Sequence, residues 1–337
     1  MAQIKLLNRR KRWEKWLIFD ETFKFCKILN GMRCIFCKSE STNSKSVEHV
    51  IPESLGSKTI VLPQGLVCDK CNNYFSNKVE RPLLTHPSFR NIRAWYQVPN
   101  KKGKLPSVKG IIAGEDVDIS LKIGKNGKFI IQPEEEKFRN KLEIQIDKAA
   151  NGEVFSPFIF KLEFDPPKKE MSRFLAKMGL EFLAFRFLKN KDLIEFLIDS
   201  DHYDPIRNFA KTGNNSIEWT YSMRKLYPIE TKMCHPVTGE LVMAGFGYDL
   251  LLNHRRESYF IFLYYGFEFA INLGGPSIKG YEEWLEKNDQ ISPIIERNGA
   301  KVVKEIIDGK DTFVIRGDLD LNTGRIFDNK QLKEYFI

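Results

Sequence analysis

The stretch "CIFCKSESTNSKSVEHVIPESLGSKTIVLPQGLVCDKCNN", residues 34–73, contains two Cys-x-x-Cys pairs, Cys34/Cys37 and Cys68/Cys71, with 30 residues between them. Four of the six cysteines in the chain therefore fall into two identical spacings. Two short turns of this kind can each present two thiolates, which together complete a tetrahedral Zn²⁺ site. Because four cysteine ligands leave no open coordination position, we expect this zinc to be structural.

Two other uses of the cysteines are less favoured. A redox role would place a Cys-x-x-Cys pair after a strand in a βαβ pattern, and neither pair has that context. The adjacent Cys234 and His235 have no partner at metal-site spacing, so the sequence there favours a packed turn over a ligand set.

The segment between the two pairs has its own predicted structure. "VEHVIP" predicts a short strand that ends at Glu48–His49, because Pro52 stops it from continuing. Gly56 follows in a loop, where it can adopt backbone angles that other residues avoid. "TIVLPQGLV" predicts a returning strand, and "NNYFSNKVE" predicts a helix directly after the second pair. The predicted order is strand, loop, strand and helix, with zinc ligands at both ends.

The combination Cys-x-x-Cys, Glu-His-x-x-Pro, Gly and Cys-x-x-Cys-Asn resembles the HNH endonucleases, the His–Me finger or ββα-metal family, in the subgroup with a built-in zinc ribbon. The resemblance covers residues 33–81. It implies that His49 is the general base that activates water. It also implies that Glu48 binds a catalytic divalent metal, Mg²⁺ or Mn²⁺, and that Asn72 is the second protein ligand of that metal.

Three further residues have supporting roles in this interpretation. The family's central Asn, which orients the loop carrying the base, is replaced here by Pro63-Gln64, and Gln64 could substitute through its side-chain amide. Ser76 lies one helical turn beyond Asn72, where some family members have a third ligand, and serine suggests a two-ligand site completed by water. Glu80 lies another turn on, and it is open to two interpretations, an additional ligand or a solvated helix carboxylate.

The chemistry of phosphodiester hydrolysis agrees with these roles. A histidine with a pKa near neutrality can take a proton from water at working pH. One hard divalent ion on oxygen ligands neutralises phosphate charge, and Glu48 with Asn72 offers such oxygens.

The basic residues are concentrated in the N-terminal third. Residues 1–104 contain 20 Lys and Arg against 8 Asp and Glu, a balance of +12, whereas residues 105–337 have a balance of −3. Clustered positive charge indicates a polyanion-binding surface, so we predict DNA as the partner, with RNA as an alternative. The predicted contacts are a basic run and two later arginines, namely Arg9, Arg10, Lys11, Arg12, Arg90 and Arg93. Each group also has an alternative interpretation. The basic run at residues 9–12 could be a solvated tail, and the segment that contains Arg90 and Arg93 could face the core.

We predict an α+β fold in which an N-terminal ββα-metal (HNH) module with a four-cysteine zinc site is followed by a larger α+β domain. The predicted divisions are a basic helical segment (1–32), the module (33–97), a linker (98–110) and the second domain (111–337). Strand pairs are predicted at 111–133 and 141–164, and one long or two shorter buried helices at 168–198. More strands are predicted at 216–222, 240–252, 258–273 and 312–316, and a further helix at 280–287. No apolar run approaches the roughly 20 residues that span a bilayer, and the charged N-terminus does not resemble a signal peptide, so we expect a cytoplasmic protein.

Two functions from different classes remain. The first is a metal-dependent DNA endonuclease, in a setting such as bacterial defence or a mobile element. In that case residues 111–337 would sense a ligand, bind a regulatory partner or form a homo-oligomer. The second is a non-catalytic zinc module that binds nucleic acid or a protein. A binding module has no need for a base and two oxygen ligands beside a saturated zinc, so Glu48, His49 and Asn72 favour the nuclease.

Overall fold

The computed structural model describes residues 31–58, 60–123, 129–154, 157–160, 164–213, 218–234 and 239–317. The predicted basic segment lies outside these residues apart from its last two positions, so Arg9, Arg10, Lys11 and Arg12 have no structural description here. His235 also lies outside them.

The first elements follow the predicted order of strand, loop, strand and helix. Strands β1 (Glu48–His49) and β2 (Val61–Leu62) pair antiparallel. Between them Gly56 has φ of 103°, the left-handed conformation for which glycine was expected. Helix α1 (Asp69–Phe75) begins directly after Cys68, whose sulfur caps it by accepting from the backbone N–H of Cys71. The chain continues through a π-helical turn (Ser76–Glu80).

In the described part of the chain the remaining elements include seven α-helices and twelve strands, and these strands form three four-stranded sheets. The helices are α2 (Arg81–Thr85), α3 (Pro87–Trp95), α4 (Arg139–Ala150), α5 (Lys168–Phe187), α6 (Lys191–Asp199), α7 (Asp204–Thr212) and α8 (Lys279–Lys287). The strands are β3 (Val108–Ile112), β4 (Asp118–Ile123), β5 (Phe129–Pro133), β6 (Phe158–Ile159), β7 (Tyr221–Lys225), β8 (Lys232–Cys234), β9 (Leu241–Met243), β10 (Phe246–Leu252), β11 (Ser258–Tyr264), β12 (Phe267–Asn272), β13 (Lys301–Ile307) and β14 (Lys310–Arg316). The sheet orders are β5-β4-β3-β6, β10-β11-β12-β7 and β13-β14-β8-β9.

One predicted strand pair is wrong. Residues 141–164 were expected to form two strands, but α4 occupies most of the first half and only β6 is a strand. The alternation of Leu142, Ile144 and Ile146 suggested a strand; in the helix Leu142 is buried, while both isoleucines are exposed. Three alternating apolar residues are too few to outweigh the strong helix formers around them, which include lysine, glutamate, glutamine and alanine. Of the two alternatives predicted for residues 168–198, the structure has the two shorter helices, and the side chain of Asn190 caps the start of the second.

The sheet β10-β11-β12-β7 has α5 packed against one of its faces. All seven residues of β11 are buried, so both faces of the strand are covered. Phe260 and Phe262 face the core that contains α5, whereas Tyr259 and Ile261 face the core that contains α8. At Gly179 of α5 an added Cβ would lie 3.0 Å from the Cβ of Phe260, so the helix packs too close to the sheet for a side chain there.

The largest hydrophobic core among the described residues contains side chains from both sides of the predicted linker at 98–110. It contains Ile35 and Phe75 from the cysteine-rich segment together with Phe174 of α5 and Ile206 of α7. Helices α5 to α7 therefore pack directly against the cysteine-rich segment. No helix in the described ranges has the length and apolar character needed to cross a membrane.

Candidate functional site

The four cysteines come together as the spacing predicted. The sulfur atoms of Cys34, Cys37, Cys68 and Cys71 all lie within 4.8 Å of one another, and Sγ of Cys37 is 3.6 Å from Sγ of Cys68. Four sulfurs about 2.3 Å from a central zinc would be about 3.8 Å apart, so these residues fit a tetrahedral zinc. The hydrogen bond between Cys34 and Cys71 lowers the pKa of Cys34 to about 5 and raises the pKa of Cys71.

The first Cys-x-x-Cys turn is also held from outside by α6 and α7. The buried Arg207 donates from Nε to the carbonyl oxygen of Ile35 at 2.6 Å. Arg33 donates from Nη1 to Asp199 at 2.7 Å, and Lys38 pairs with Asp204 at 2.7 Å. The four-cysteine site is therefore anchored by residues 166 to 172 positions further along the chain.

Three side chains hold the loop that leads into β1. Asp69 accepts from the backbone N–H of Ser46 at 2.8 Å. Asn72 donates from Nδ2 to the carbonyl oxygen of Val47 at 3.3 Å, and Gln64 donates from Nε2 to that of Lys45 at 3.0 Å. Asp69 was missed by the sequence reasoning, although its position as the first residue of α1 is typical of an acidic residue that stabilises a helix N-terminus.

Glu48 points into the protein, where it belongs to a buried group of charges that we call the carboxylate–lysine cluster: Glu48, Glu80, Lys177 and Glu181. Nζ of Lys177 lies 2.6 Å from Oε1 of Glu48, 2.6 Å from Oε1 of Glu80 and 3.0 Å from Oε2 of Glu181. Lys177 has no solvent-exposed surface, and Glu80 is only 7% exposed. The solvated-carboxylate interpretation of Glu80 is therefore wrong, because the side chain is buried and paired.

The cluster has more negative than positive charge. One ammonium has three hydrogens to donate, one toward each of three carboxylates, but it offsets only one of their charges. Burial raises the pKa of Glu48, and it raises the pKa of Glu181 well above its usual value. Burial alone would lower the pKa of Lys177, but the three carboxylates outweigh it and raise that pKa. A divalent cation bound to Glu48 would offset the remaining negative charge, although the Lys177 ammonium already occupies the space between the three carboxylates.

His49 follows Glu48 on β1 and points the other way, because successive side chains of a strand alternate between faces. It is half-buried, and its Nδ1 atom is buried without a hydrogen-bond partner among the described residues. Burial and, secondarily, the positive charge of Lys101 lower the pKa of His49 below 6.5. The imidazole is therefore neutral at neutral pH, which is the form that accepts a proton.

Arg90 and Arg93 line a groove of about 490 Å³ together with Ser76 and Glu80. We call it the basic groove, because its lining includes six cations, Arg81, Arg90, Arg93, Lys101, Lys102 and Lys104. Arg93 is 6% exposed and donates from Nη1 to the carbonyl oxygen of Leu84 at 3.3 Å. The sequence left open whether this segment faces the core or presents basic residues. Helix α3 does both, with one side in the core and the other along the basic groove.

Lys177 is the main residue that the sequence reasoning missed. The signal was present in "FLAKMGLEFLAF", where Lys177 and Glu181 are four residues apart in an otherwise apolar segment. Charged residues are almost never fully buried unless they are paired, so such an island indicates a buried ion pair.

Residues 34–88 match the family model described as HNH endonuclease. The chain carries an HNH endonuclease domain. The match spans both cysteine pairs, β1, β2 and α1, and its family description indicates nuclease activity and metal binding. Neither the curated proteins nor the solved structures include a match to this chain. Lys177 and the lysines of the basic groove lie beyond the segment that matches the HNH family model.

Proposed function

We propose that this HNH protein is a metal-dependent endonuclease that hydrolyses phosphodiester bonds of DNA. The observation that best supports the proposal is the pairing on β1 of a neutral, half-buried His49 with a buried Glu48. One side chain is in the form that accepts a proton, and the other is in the negatively charged cluster. RNA has the same phosphodiester linkage and is the alternative substrate.

His49 acts as the general base and removes a proton from the attacking water. Its lowered pKa keeps the imidazole free to accept that proton at neutral pH. The hydrogen bonds of Asp69, Asn72 and Gln64 to residues 45–47 fix the approach to β1, and so they restrict where the His49 ring can lie.

Glu48 and Asn72 are the residues that would hold Mg²⁺ or Mn²⁺. Lys177 orients the Glu48 carboxylate through Oε1, and the bond from Asn72 Nδ2 to Val47 leaves the amide oxygen Oδ1 to face a cation. When bound, the ion supplies charge neutralisation at the phosphate and at the departing oxygen. Ser76 lies on the wall of the basic groove, near enough to contact water or phosphate there. In a defence or mobile-element setting, residues 111–337 would restrain such an enzyme.

The test is cleavage of supercoiled plasmid by the purified protein with Mg²⁺, with Mn²⁺ or with EDTA. His49→Ala should lower the cleavage rate about 10²- to 10⁴-fold, the range for loss of a general base, while DNA affinity is retained. His254→Ala is the matched control, because His254 is exposed in a turn between β10 and β11. Full activity of His49→Ala would remove His49 from the mechanism. A wild-type protein that binds but never cleaves DNA or RNA would establish the non-catalytic zinc module instead.

The pH dependence gives a second test of the same assignment. Because the pKa of His49 is lowered, the neutral base persists below pH 6.5, and kcat/KM should fall only as pH drops further and the ring becomes protonated. The measurement is the acidic limb of the pH–rate profile for wild type and for His254→Ala. A midpoint above 6.5 in both proteins would contradict the assignment.

A further inference from the structure

The basic groove has two walls of different construction. One wall is helical and carries Arg81 from α2 with Arg90 and Arg93 from α3. The other is the loop of residues 100–106, which presents Lys101, Lys102 and Lys104. The loop is ordered by Asn100, whose Oδ1 accepts from the backbone N–H groups of Lys102 at 2.9 Å and Lys104 at 3.0 Å.

The charges in the groove are poorly compensated within the protein. Glu80 is the one carboxylate among the described residues that line it, and that carboxylate is already paired with Lys177. Nε of Arg90 and Nε of Arg93 are both buried without a hydrogen-bond partner in the described part of the chain. Each of these two guanidinium groups therefore keeps one buried N–H without an acceptor there, which costs free energy that an anionic ligand in the groove would offset.

The groove has no surface on which bases could stack. The described residues that line it include no Phe, Tyr or Trp. Proteins that grip single strands combine a basic groove with aromatic platforms, and each stacked base contributes about 1–3 kcal/mol. A groove of cations without aromatic residues is suited to the phosphate backbone and is indifferent to base identity.

The groove also adjoins the proposed catalytic residues. Ser54 lines it and lies in the short helical turn that follows β1, five residues after His49. Glu80 belongs both to its lining and to the carboxylate–lysine cluster. Lys101 is close enough to His49 for its charge to act on the ring. A backbone in the groove would therefore pass beside β1.

We propose that the basic groove binds the phosphate backbone of duplex nucleic acid, without regard to sequence, and guides it to His49. This inference depends on the proposed nuclease function for the identity of the polyanion. It assigns binding to Arg81, Lys101, Lys102 and Lys104, and all but Arg81 lie outside the segment that matches the HNH family.

The test is binding of fluorescent oligonucleotides to the full-length His49→Ala protein across a salt series from about 50 to 200 mM. In that background, Lys101, Lys102 and Lys104 are changed together to Gln. The control changes Lys287, Lys301 and Lys310 to Gln, which removes the same charge from exposed positions that do not line the groove. Both sets are exposed, so zinc content and thermal unfolding should stay at the values of the parent protein.

The groove variant should show a plot of log affinity against log salt that is shallower by about 2 to 3, with affinity near 0.1 M salt lower on the order of a hundredfold. The control variant should keep the parent slope. Two duplexes of unrelated sequence should bind equally well, and more tightly than a single strand of the same length.

Three results would overturn the inference: an unchanged slope in the groove variant, an equal loss in both variants, or tighter binding of the single strand. Each of these leaves the nuclease proposal standing if wild-type protein cleaves plasmid. A wild-type protein that neither binds nor cleaves nucleic acid defeats the nuclease proposal itself, and with it the inference about the groove.

Discussion

The four-cysteine site and the carboxylate–lysine cluster both include residues of the HNH segment, 34–88. They differ in how far apart their members lie along the chain. All four sulfurs come from residues 34–71. The cluster joins Glu48 to Lys177, 129 residues away. The first site can be recognised from spacing alone, whereas the second exists only after α5 has packed against the HNH segment. The four cysteines stabilise the HNH segment through contacts within that segment, whereas the cluster stabilises it through a contact with α5.

The largest effect should come from opening the cysteine site. Cys68→Ser removes a zinc ligand, and because metal binding and folding are coupled in small thiolate frames, the HNH domain should unfold and lose its zinc. Metal analysis and thermal unfolding measure both. Cys234→Ser is the control, since Cys234 lies in β8 and outside the group of four. A Cys68→Ser protein with normal zinc content and melting would show that the four sulfurs do not form a zinc site.

The next effect tests the contribution of α5. Lys177→Met leaves the buried carboxylates of Glu48 and Glu80 without their cation, and breaking a buried ion pair in this way typically costs about 3–5 kcal/mol of unfolding free energy. Urea unfolding measures it. Lys168→Met, at the exposed first position of the same helix, should leave the unfolding free energy unchanged. If the two variants unfold alike, the cluster is not a stabilising contact between α5 and the HNH segment.

The smallest effect distinguishes members of the cluster from one another. Burial raises the pKa of Glu181 well above its usual value, which favours the protonated carboxyl. Glu181→Gln has nearly the same shape and charge as that form, and the unfolding free energy should change by no more than about 1 kcal/mol. Plasmid cleavage should also persist, whereas Glu48→Gln should abolish it. A loss as large as that of Lys177→Met would show that Glu181 is ionised in the folded protein.

The features that were predictable from sequence are those set by neighbouring residues. The cysteine turns, β1 at Glu48–His49, the glycine conformation at Gly56 and a helix at the second cysteine pair all follow from short-range spacing and turn chemistry, although that helix begins at Asp69 and not after Cys71. The partner of Glu48 could not be predicted, because a buried lysine is identified by its tertiary surroundings. The strand pair predicted around Leu142 failed for a similar reason: alternation and helical spacing are hard to tell apart until one face is known to be buried.

The anchoring of the first cysteine turn by Arg207 has a consequence for engineering. Excision of residues 34–88 as a portable cassette would remove the guanidinium that binds the Ile35 carbonyl oxygen and the lysine that neutralises Glu48. Transplanted into another host protein, the cassette would bring the buried carboxylates of Glu48 and Glu80 without their counter-ion. A transferable unit therefore extends at least through α7, to Thr212. Fusion points for chimeras belong after that helix, even though the segment recognisable as HNH ends more than a hundred residues earlier.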